Sequence, residues 1–429
     1  MPESVVRDTS LASIGRDKLE WAESFMPVLG EIRRELESEK PLDGLTIGLC
    51  LHFEAKTAVL ARTLAAGGAR IVITSCNPET TQDDVAAAAT DFAHVYAWRG
   101  ETANEYVENL KRVLDHDPDI VIDDGADLIC MLHEERGDLL GRVIGGCEET
   151  TTGVIRLRNM ERGGKLRFPV IAVNDAQMKY LIDNRYGTGE SSLFGILNAT
   201  NLTMAGKTVV VTGYGWVGQG VAKRARGMGA RVIVTEVDPI KAFEAHMEGF
   251  RVMRMIDAIK EADIVITATG MRDIVRKEHL EVAKDGCILC NAGHFNVEIS
   301  IPDLESLSVD KKPMREFGTP YGEKLVWAYK FRNGRRLFLL GGGRLVNLVC
   351  GQGHAAEIMD LSFSLQAESV RLLVRKRRKL QNRVYKVPRE VDERVARLKL
   401  KSLGVHIDGL TKGQKEYRRM WTFKPSGIS

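Results

Sequence analysis

Short apolar runs recur along the chain, separated by longer stretches of helical period. In the first half they are LTIGLCL (Leu45–Leu51), RIVITS (Arg70–Ser75), DIVIDD (Asp119–Asp124) and PVIAVND (Pro169–Asp175). Unbroken apolar runs without alternation mark strands buried on both faces, as in a parallel sheet covered by helices. Each run ends in polar residues: His52, Cys76-Asn77, Asp123-Asp124 and Asn174-Asp175. Open α/β sheets bind ligands beyond the carboxyl ends of their strands, so these endings mark one rim of a site. A second series restarts at KTVVVTGYGWVGQG (Lys207–Gly220) and continues through ARVIVTEVDP (Ala230–Pro239), DIVITATG (Asp263–Gly270) and CILCNAGHF (Cys287–Phe295). The rhythm predicts an α/β protein with two doubly wound parallel-sheet domains, the change-over falling in a helical stretch near residues 185–200. His354–Arg378 is helical in pattern and ends in a basic run, Lys386–Arg389 reads as a connector, and Glu390–Leu403 as a charged helix. Lys412–Ser429 is a basic tail carrying Trp421 and Phe423.

Composition narrows the class. The chain has 429 residues, 44% hydrophobic and 28% charged, with a net charge of +3; that near-balance argues against wrapping nucleic acid. Seven cysteines are too few and too scattered for a disulfide framework, which favours a reducing compartment such as the cytoplasm. Charged residues interrupt the first twenty positions, and no 18-residue uncharged apolar run occurs, so neither a signal peptide nor a membrane span is expected.

The strongest motif is Gly213-Tyr-Gly215-Trp216-Val217-Gly218, which follows a strand-like run and opens a helix. The first glycine permits the tight turn, the second lets backbone approach a pyrophosphate, and the third lets helix and strand pack closely. Glu236 ends the next strand, where an acid binds a ribose 2′-hydroxyl and favours NAD over NADP; Lys241 stands nearby. The competing reading is a glycine turn that holds no cofactor. Cys287-x-x-Cys290 lies inside an apolar strand, which turns the two thiols to opposite faces, so both are expected to be core residues. No paired-histidine metal spacing occurs, so no catalytic metal is expected. The basic run Arg375–Lys379 lacks interleaved aromatics and reads as a solvated helix end. His52, His294 and His354 each follow a strand-like or glycine-rich segment. Lys179 and Asp183, four apart, share a helix face; the competing reading is a surface ion pair, and either way their replacement should cost little stability.

Together these segments resemble S-adenosyl-L-homocysteine hydrolases. LHFEAKTAVL, CNPETTQDDVAAA, IDDGADL, EETTTGV, VNDAQMKYLIDNRYGTGES, GYGWVGQG, TEVDP, CNAGHF and GRLVNLVCGQGH run in family order over nearly the whole chain. The resemblance implies an NAD-dependent hydrolase that transiently oxidises the ribose 3′-hydroxyl, eliminates homocysteine from C5′, adds water and reduces the ketone back. It implies a substrate domain of residues 1–188 completed by 354–395, a Rossmann domain of 189–353, a tail of 396–429, and a homotetramer. Carried over residue by residue, Glu149 holds ribose hydroxyls and Lys179 and Asp183 flank the 3′-oxygen. Asp124 and His52 serve the C4′ proton, the leaving sulfur and the water. Thr150, Thr151, Thr152, Asn184, Gly213–Gly218, Glu236, Lys241, Thr269, Ala292, Gly293, His294 and Asn347 line the NAD, with His294 also among the catalytic groups. His354 and Met359 pack at the nucleobase, beside Glu54 and Lys56, which stand where many members have Thr and Gln. Thr188, Lys241, Trp216 and Gln219 also depart from the commoner pattern, and the tail keeps Lys424 but lacks a terminal Tyr. An ammonium at the base pocket suits the O6 of hypoxanthine, so the implied substrate is a nucleoside thioether that is adenosyl, inosyl or both. The rival class is a plain NAD-dependent dehydrogenase that releases NADH.

Overall fold

The computed structural model describes residues 4–314, 325–377 and 379–421. Arg378, Phe423 and Lys424 lie outside the described residues. The first series of apolar runs forms β1 (Thr46–Leu51), β2 (Arg70–Ser75), β4 (Ile120–Asp123) and β6 (Val170–Ala172), joined by β3 (His94–Tyr96) and β5 (Gly145–Glu148). The second forms β7 (Thr208–Thr212), β8 (Arg231–Thr235), β10 (Ile264–Thr267) and β11 (Ile288–Asn291), with β9 (Arg251–Val252), β12 (Ser308–Pro313), β13 (Val326–Phe331) and β14 (Arg336–Leu340). A last strand, β15 (Val384–Lys386), returns to the first sheet beside β6. The strand orders are β15-β6-β5-β4-β1-β2-β3 and β12-β13-β14-β11-β10-β7-β8-β9.

The first sheet is parallel throughout, as are β14 to β9 of the second. The edge β12-β13-β14 is antiparallel, which the apolar rhythm did not predict. In each sheet the order reverses beside the first strand, opening a crevice between β1 and β4 and another between β7 and β10. The central strands are buried along their whole length, and Cys287 and Cys290 are core residues as expected. Among the described residues no helix is long and apolar enough to cross a membrane.

The two sheets are linked by one continuous helical run. A widened π-helical turn, Tyr180–Gly187, passes directly into the helix Thr188–Thr200. Helix Trp216–Gly227 lies against this run at backbone contact: a Cβ on Gly220 would come within 1.7 Å of the Arg185 carbonyl oxygen, and one on Gly189 within 2.6 Å of the Gly220 carbonyl carbon.

One buried acid outside the crevices sets a pH dependence. Glu101 accepts the Trp98 N–H at 2.9 Å, while its other oxygen is buried without a hydrogen bond. Burial pushes its carboxyl up to about 7, the Trp98 bond opposing only in part. The folded-state value lies above the unfolded one, so the fold favours the neutral acid and loses stability as pH rises through about 7. Glu101→Gln removes that loss. Relative to wild type, the variant should gain about 2 kcal/mol between about pH 5.5 and about pH 8. Urea unfolding at the two pH values checks this; an unchanged difference would mean that Glu101 ionises normally.

Candidate active site

Both crevices open into one cavity of about 400 Å³. From the first sheet come His52 after β1, Asp124 after β4, and Glu149 through Thr152 after β5. The linking run supplies Lys179, Asp183 and Asn184. The second sheet supplies Gly215, Trp216, Val217, Lys241, Thr269, Ala292, Gly293, His294 and Asn347, and His354, Met359 and Glu54 complete the wall. Among the residues singled out from sequence, Gly213, Gly218, Glu236 and Lys56 are not on the wall. The two glycines act through the turn they shape, and Glu236 sits beneath that turn. Lys56 is turned aside, its Nζ 2.6 Å from Glu54 Oε2 and donating to the Gln352 carbonyl at 2.8 Å.

Lys179 is the hub. Its Nζ donates to Asp183 Oδ1 and Asn184 Oδ1, each at 2.8 Å, and lies 3.4 Å from Glu149 Oε1. Lys179 is 5% exposed and Asp183 2%, so the pair is buried and the surface-pair reading is wrong. Burial opposes the Lys179 charge, but Asp183 and Glu149 outweigh it and hold the ammonium protonated well above the ordinary lysine range. Burial likewise opposes the Asp183 charge, yet Lys179 and His354 pull its carboxyl well below the usual carboxylate range. Burial raises Glu149, with Lys179 opposing. Ser362 and Gln366, on the helix Ala356–Arg375, both donate to the Glu149 carboxylate, Gln366 at 2.6 Å. His354 bridges Asp183 Oδ2 at 3.2 Å and the Thr188 hydroxyl at 3.0 Å.

The opposite wall carries an imidazole–carboxylate–imidazole row. Asp124 Oδ2 lies 3.8 Å from His52 Nε2, and Oδ1 3.6 Å from His294 Nδ1. The Thr80 hydroxyl donates to the Asn77 carbonyl, so it accepts from His52 Nδ1–H at 2.8 Å. The lone pair of His52 is therefore on Nε2, facing Asp124. Burial pushes His52 down to about 4 against the opposing charge of Asp124, so the ring is neutral near pH 7.

The glycine turn fits a dinucleotide. Gly213 has φ +89°, and a Cβ on Gly218 would meet the Gly213 carbonyl oxygen at 1.9 Å, whereas the space around Gly215 is open. Glu236 is fixed beneath the turn by the Tyr214 N–H at 2.7 Å and by the N–H groups of Val237 and Asp238. Asn347 donates to Ser191, while its side-chain oxygen is buried without a partner, an acceptor waiting for an amide or hydroxyl. Two further acids, Glu148 and Glu298, escaped the sequence reading. Glu148 accepts the N–H groups of Gly125 and Thr150, so it fixes the backbone just after Asp124 and just after Glu149. Glu298 accepts from the backbone and hydroxyl of Thr269 and from the Gly270 N–H. Its only sequence signal is indirect: a Cβ on Gly293 would lie 1.8 Å from Glu298 Oε1, so glycine there leaves that carboxylate its place.

The sequence matches the profile of S-adenosyl-L-homocysteine hydrolase over residues 3–140, and that of the NAD binding domain of the same enzyme over 184–353. It is 58% identical to an S-inosyl-L-homocysteine hydrolase of Methanopyrus kandleri, over 98% of this chain and 97% of that protein. The chain belongs to the S-adenosyl-L-homocysteine hydrolase family. Another S-inosyl-L-homocysteine hydrolase, from Methanocaldococcus jannaschii, is 56% identical over 97% of this chain and 98% of its own. An adenosylhomocysteinase of Pyrococcus abyssi is 56% identical over 97% of both. Identity alone therefore separates the adenosyl and inosyl branches of the family only narrowly.

Membership brings NAD as the cofactor, and the glycine turn as its seat has a direct test. Gly218→Ala should force the turn open, costing about 1–3 kcal/mol as an overpacked contact, and the purified variant should carry little NAD where wild type carries it. Denaturation followed by an enzymatic assay of the released cofactor measures this; equal occupancy in the two proteins would refute the assignment.

Proposed function

We propose that this family member hydrolyses S-inosyl-L-homocysteine to inosine and L-homocysteine. The observation that carries the choice of base is the Glu54–Lys56 pair. Glu54 lines the cavity, and its carboxylate is held by both the Lys56 ammonium and the Lys56 backbone N–H. A fixed, ionised carboxylate can only accept a hydrogen bond, and an ammonium can only donate one. Hypoxanthine offers the wall carboxylate a matching donor at N1–H, and Lys56, turned to Glu54 and the Gln352 carbonyl, acts by holding that carboxylate in place. Adenine offers an acceptor at N1 and an amine donor, so a carboxylate meeting N1 is repelled.

NAD, held by Gly213–Gly218, Glu236, Thr269 and Asn347, would supply reversible oxidation at the ribose 3′ carbon. The protein's own groups do the rest. Glu149, held by Ser362 and Gln366, binds ribose hydroxyls. Lys179 is a cation locked between two carboxylates, so its part is to stabilise negative charge on the 3′-oxygen rather than to take up a proton. Neutral His52, with its lone pair on Nε2, is able to accept a proton from water or return one to sulfur. Asp124, between two imidazoles, serves the acidified C4′ hydrogen.

Thiols such as Cys76, Cys147 and Cys287, none of them in a disulfide, support a reducing, cytoplasmic setting. The exposed apolar row Val237, Ile240, Phe243 and Met247 supports assembly, and we take the chain to work as a homotetramer, which sedimentation would test. The deciding experiment compares kcat/KM for the inosyl and adenosyl thioethers while following homocysteine release and NADH absorbance. Homocysteine without bulk NADH, and an inosyl preference, are expected. A tenfold adenosyl preference would overturn the base assignment; accumulation of NADH would overturn the hydrolase reading.

A further inference from the structure

The linking run has a second face that is not part of the cavity wall. Lys179, Asp183 and Asn184 line the cavity, whereas Tyr180 and Arg185 do not. In an α-helix, residues five apart point about 140° away from each other. The widened turn Tyr180–Gly187, which bonds residue i to i+5, returns Tyr180 and Arg185 to a common face. Both meet Trp216 there. The Tyr180 ring stacks on the indole, with centroids 4.9 Å apart and planes inclined by 23°, and the Arg185 guanidinium carbon lies 5.9 Å from the indole centroid.

Trp216 follows Gly215 of the glycine turn, opens the helix Trp216–Gly227 and lines the cavity. It is 39% exposed, so its own helix does not enclose the indole. The Gly220–Arg185 backbone contact sets where that helix sits; the direction of the indole is left to Tyr180 and Arg185. Arg185 is half-buried, and among the described residues its guanidinium has no ion pair and no hydrogen bond. Glu248 senses its charge only from beyond ion-pair distance. By contrast Gln219 and Lys223, on the helix itself, are turned to Glu244 and Glu248. A guanidinium without a carboxylate partner, close to a helix N-terminus, adds to the positive potential that favours a diphosphate there.

We propose that Tyr180 and Arg185 are positioning residues for the cofactor: they hold the Trp216 indole in the cavity wall beside the glycine turn, so that seated NAD leaves slowly. A hydrolase that must return the electrons it has borrowed cannot finish its cycle if the cofactor departs midway, so slow release is part of the chemistry. The widened turn thus serves two faces at once, with the groups around Lys179 on one and the clamp on Trp216 on the other. This role rests on the glycine turn as the NAD seat.

The test loads each protein with saturating radiolabelled NAD, dilutes it into excess unlabelled NAD and follows release of the label. Tyr180→Ala and Arg185→Gln should each release it about tenfold faster than wild type, or more. Tyr180→Phe keeps the ring and should release at the wild-type rate. Arg185→Gln replaces a half-buried side chain that pairs with no acid among the described residues, so it carries the test if Tyr180→Ala does not fold. With saturating NAD in the assay, kcat of the folded variants should stay near wild type; without added NAD their activity should fall after dilution. Wild-type release from both Tyr180→Ala and Arg185→Gln, or release from Tyr180→Phe as fast as from Tyr180→Ala, would overturn the clamp. Gly218→Ala in the same assay separates the clamp from the seat. Rapid loss from Gly218→Ala beside wild-type release from the clamp variants overturns the clamp alone, whereas wild-type retention in Gly218→Ala overturns the seat and the clamp with it.

Discussion

Lys179→Ala is expected to lower kcat by about 10²–10³-fold or more, the size of effect seen when one donor to a developing oxyanion is removed. It is also expected to destabilise the protein, contrary to what the i, i+4 spacing alone suggests. The ammonium is buried among Asp183, Asn184 and Glu149. Its removal leaves two buried carboxylates without their counter-charge, a loss of about 3–5 kcal/mol for a broken buried pair. That penalty should shrink as pH falls and the orphaned acids take up protons. Lys179→Arg separates the two effects. It restores positive charge and part of the stability, but a planar fork cannot replace a point donor, so kcat stays low. Steady-state kinetics beside urea unfolding reads both quantities. A Lys179→Ala enzyme retaining more than a tenth of wild-type kcat would show that the role is misassigned.

Exchanging Glu54 and Lys56 together for Thr and Gln should convert the base preference. The ratio of kcat/KM for the inosyl over the adenosyl thioether is expected to fall by about 10²-fold or more, since mismatched polar groups in a closed site cost several powers of ten. The pair must change together: Lys56→Gln alone leaves the buried Glu54 carboxylate without its cation. Glu54 also caps the helix Ala55–Ala66 by accepting the Lys56 N–H, and Thr can do the same, so the double variant should fold. An unchanged ratio would mean that the pair is only a structural ion pair in the pocket wall.

The central strands were legible in the sequence because burial on both faces makes their residues uniformly apolar. β5 was not. Its Gly145 faces Leu373 and the Pro169 carbonyl so closely that a Cβ would lie 2.7–2.8 Å from each, so close packing there demands glycine and erases the apolar signal. β3 escaped because His94 and Tyr96 flank a single aliphatic residue, and the β12–β14 edge because its exposed positions carry Lys, Arg and Asp. In the site, motif residues were legible because each stands at a strand end or glycine turn. Glu148 and Glu298 were not, because they act on backbone N–H groups, which leave no side-chain pattern. The burial of Lys179 was also hidden: helical spacing shows which residues share a face, and what covers that face depends on a segment some 170 residues away, around His354.

The contact of Gly220 with the Arg185 carbonyl has a mechanical meaning. The helix that begins at the glycine turn is keyed, backbone to backbone, into the segment that carries Lys179 and Asp183. Any motion that opens the cavity must therefore carry the glycine turn and the lysine–aspartate pair as one piece, their spacing set by backbone contact rather than by side chains. Across the cavity the first sheet meets the second at the Asp124–His294 contact, a pair of side chains.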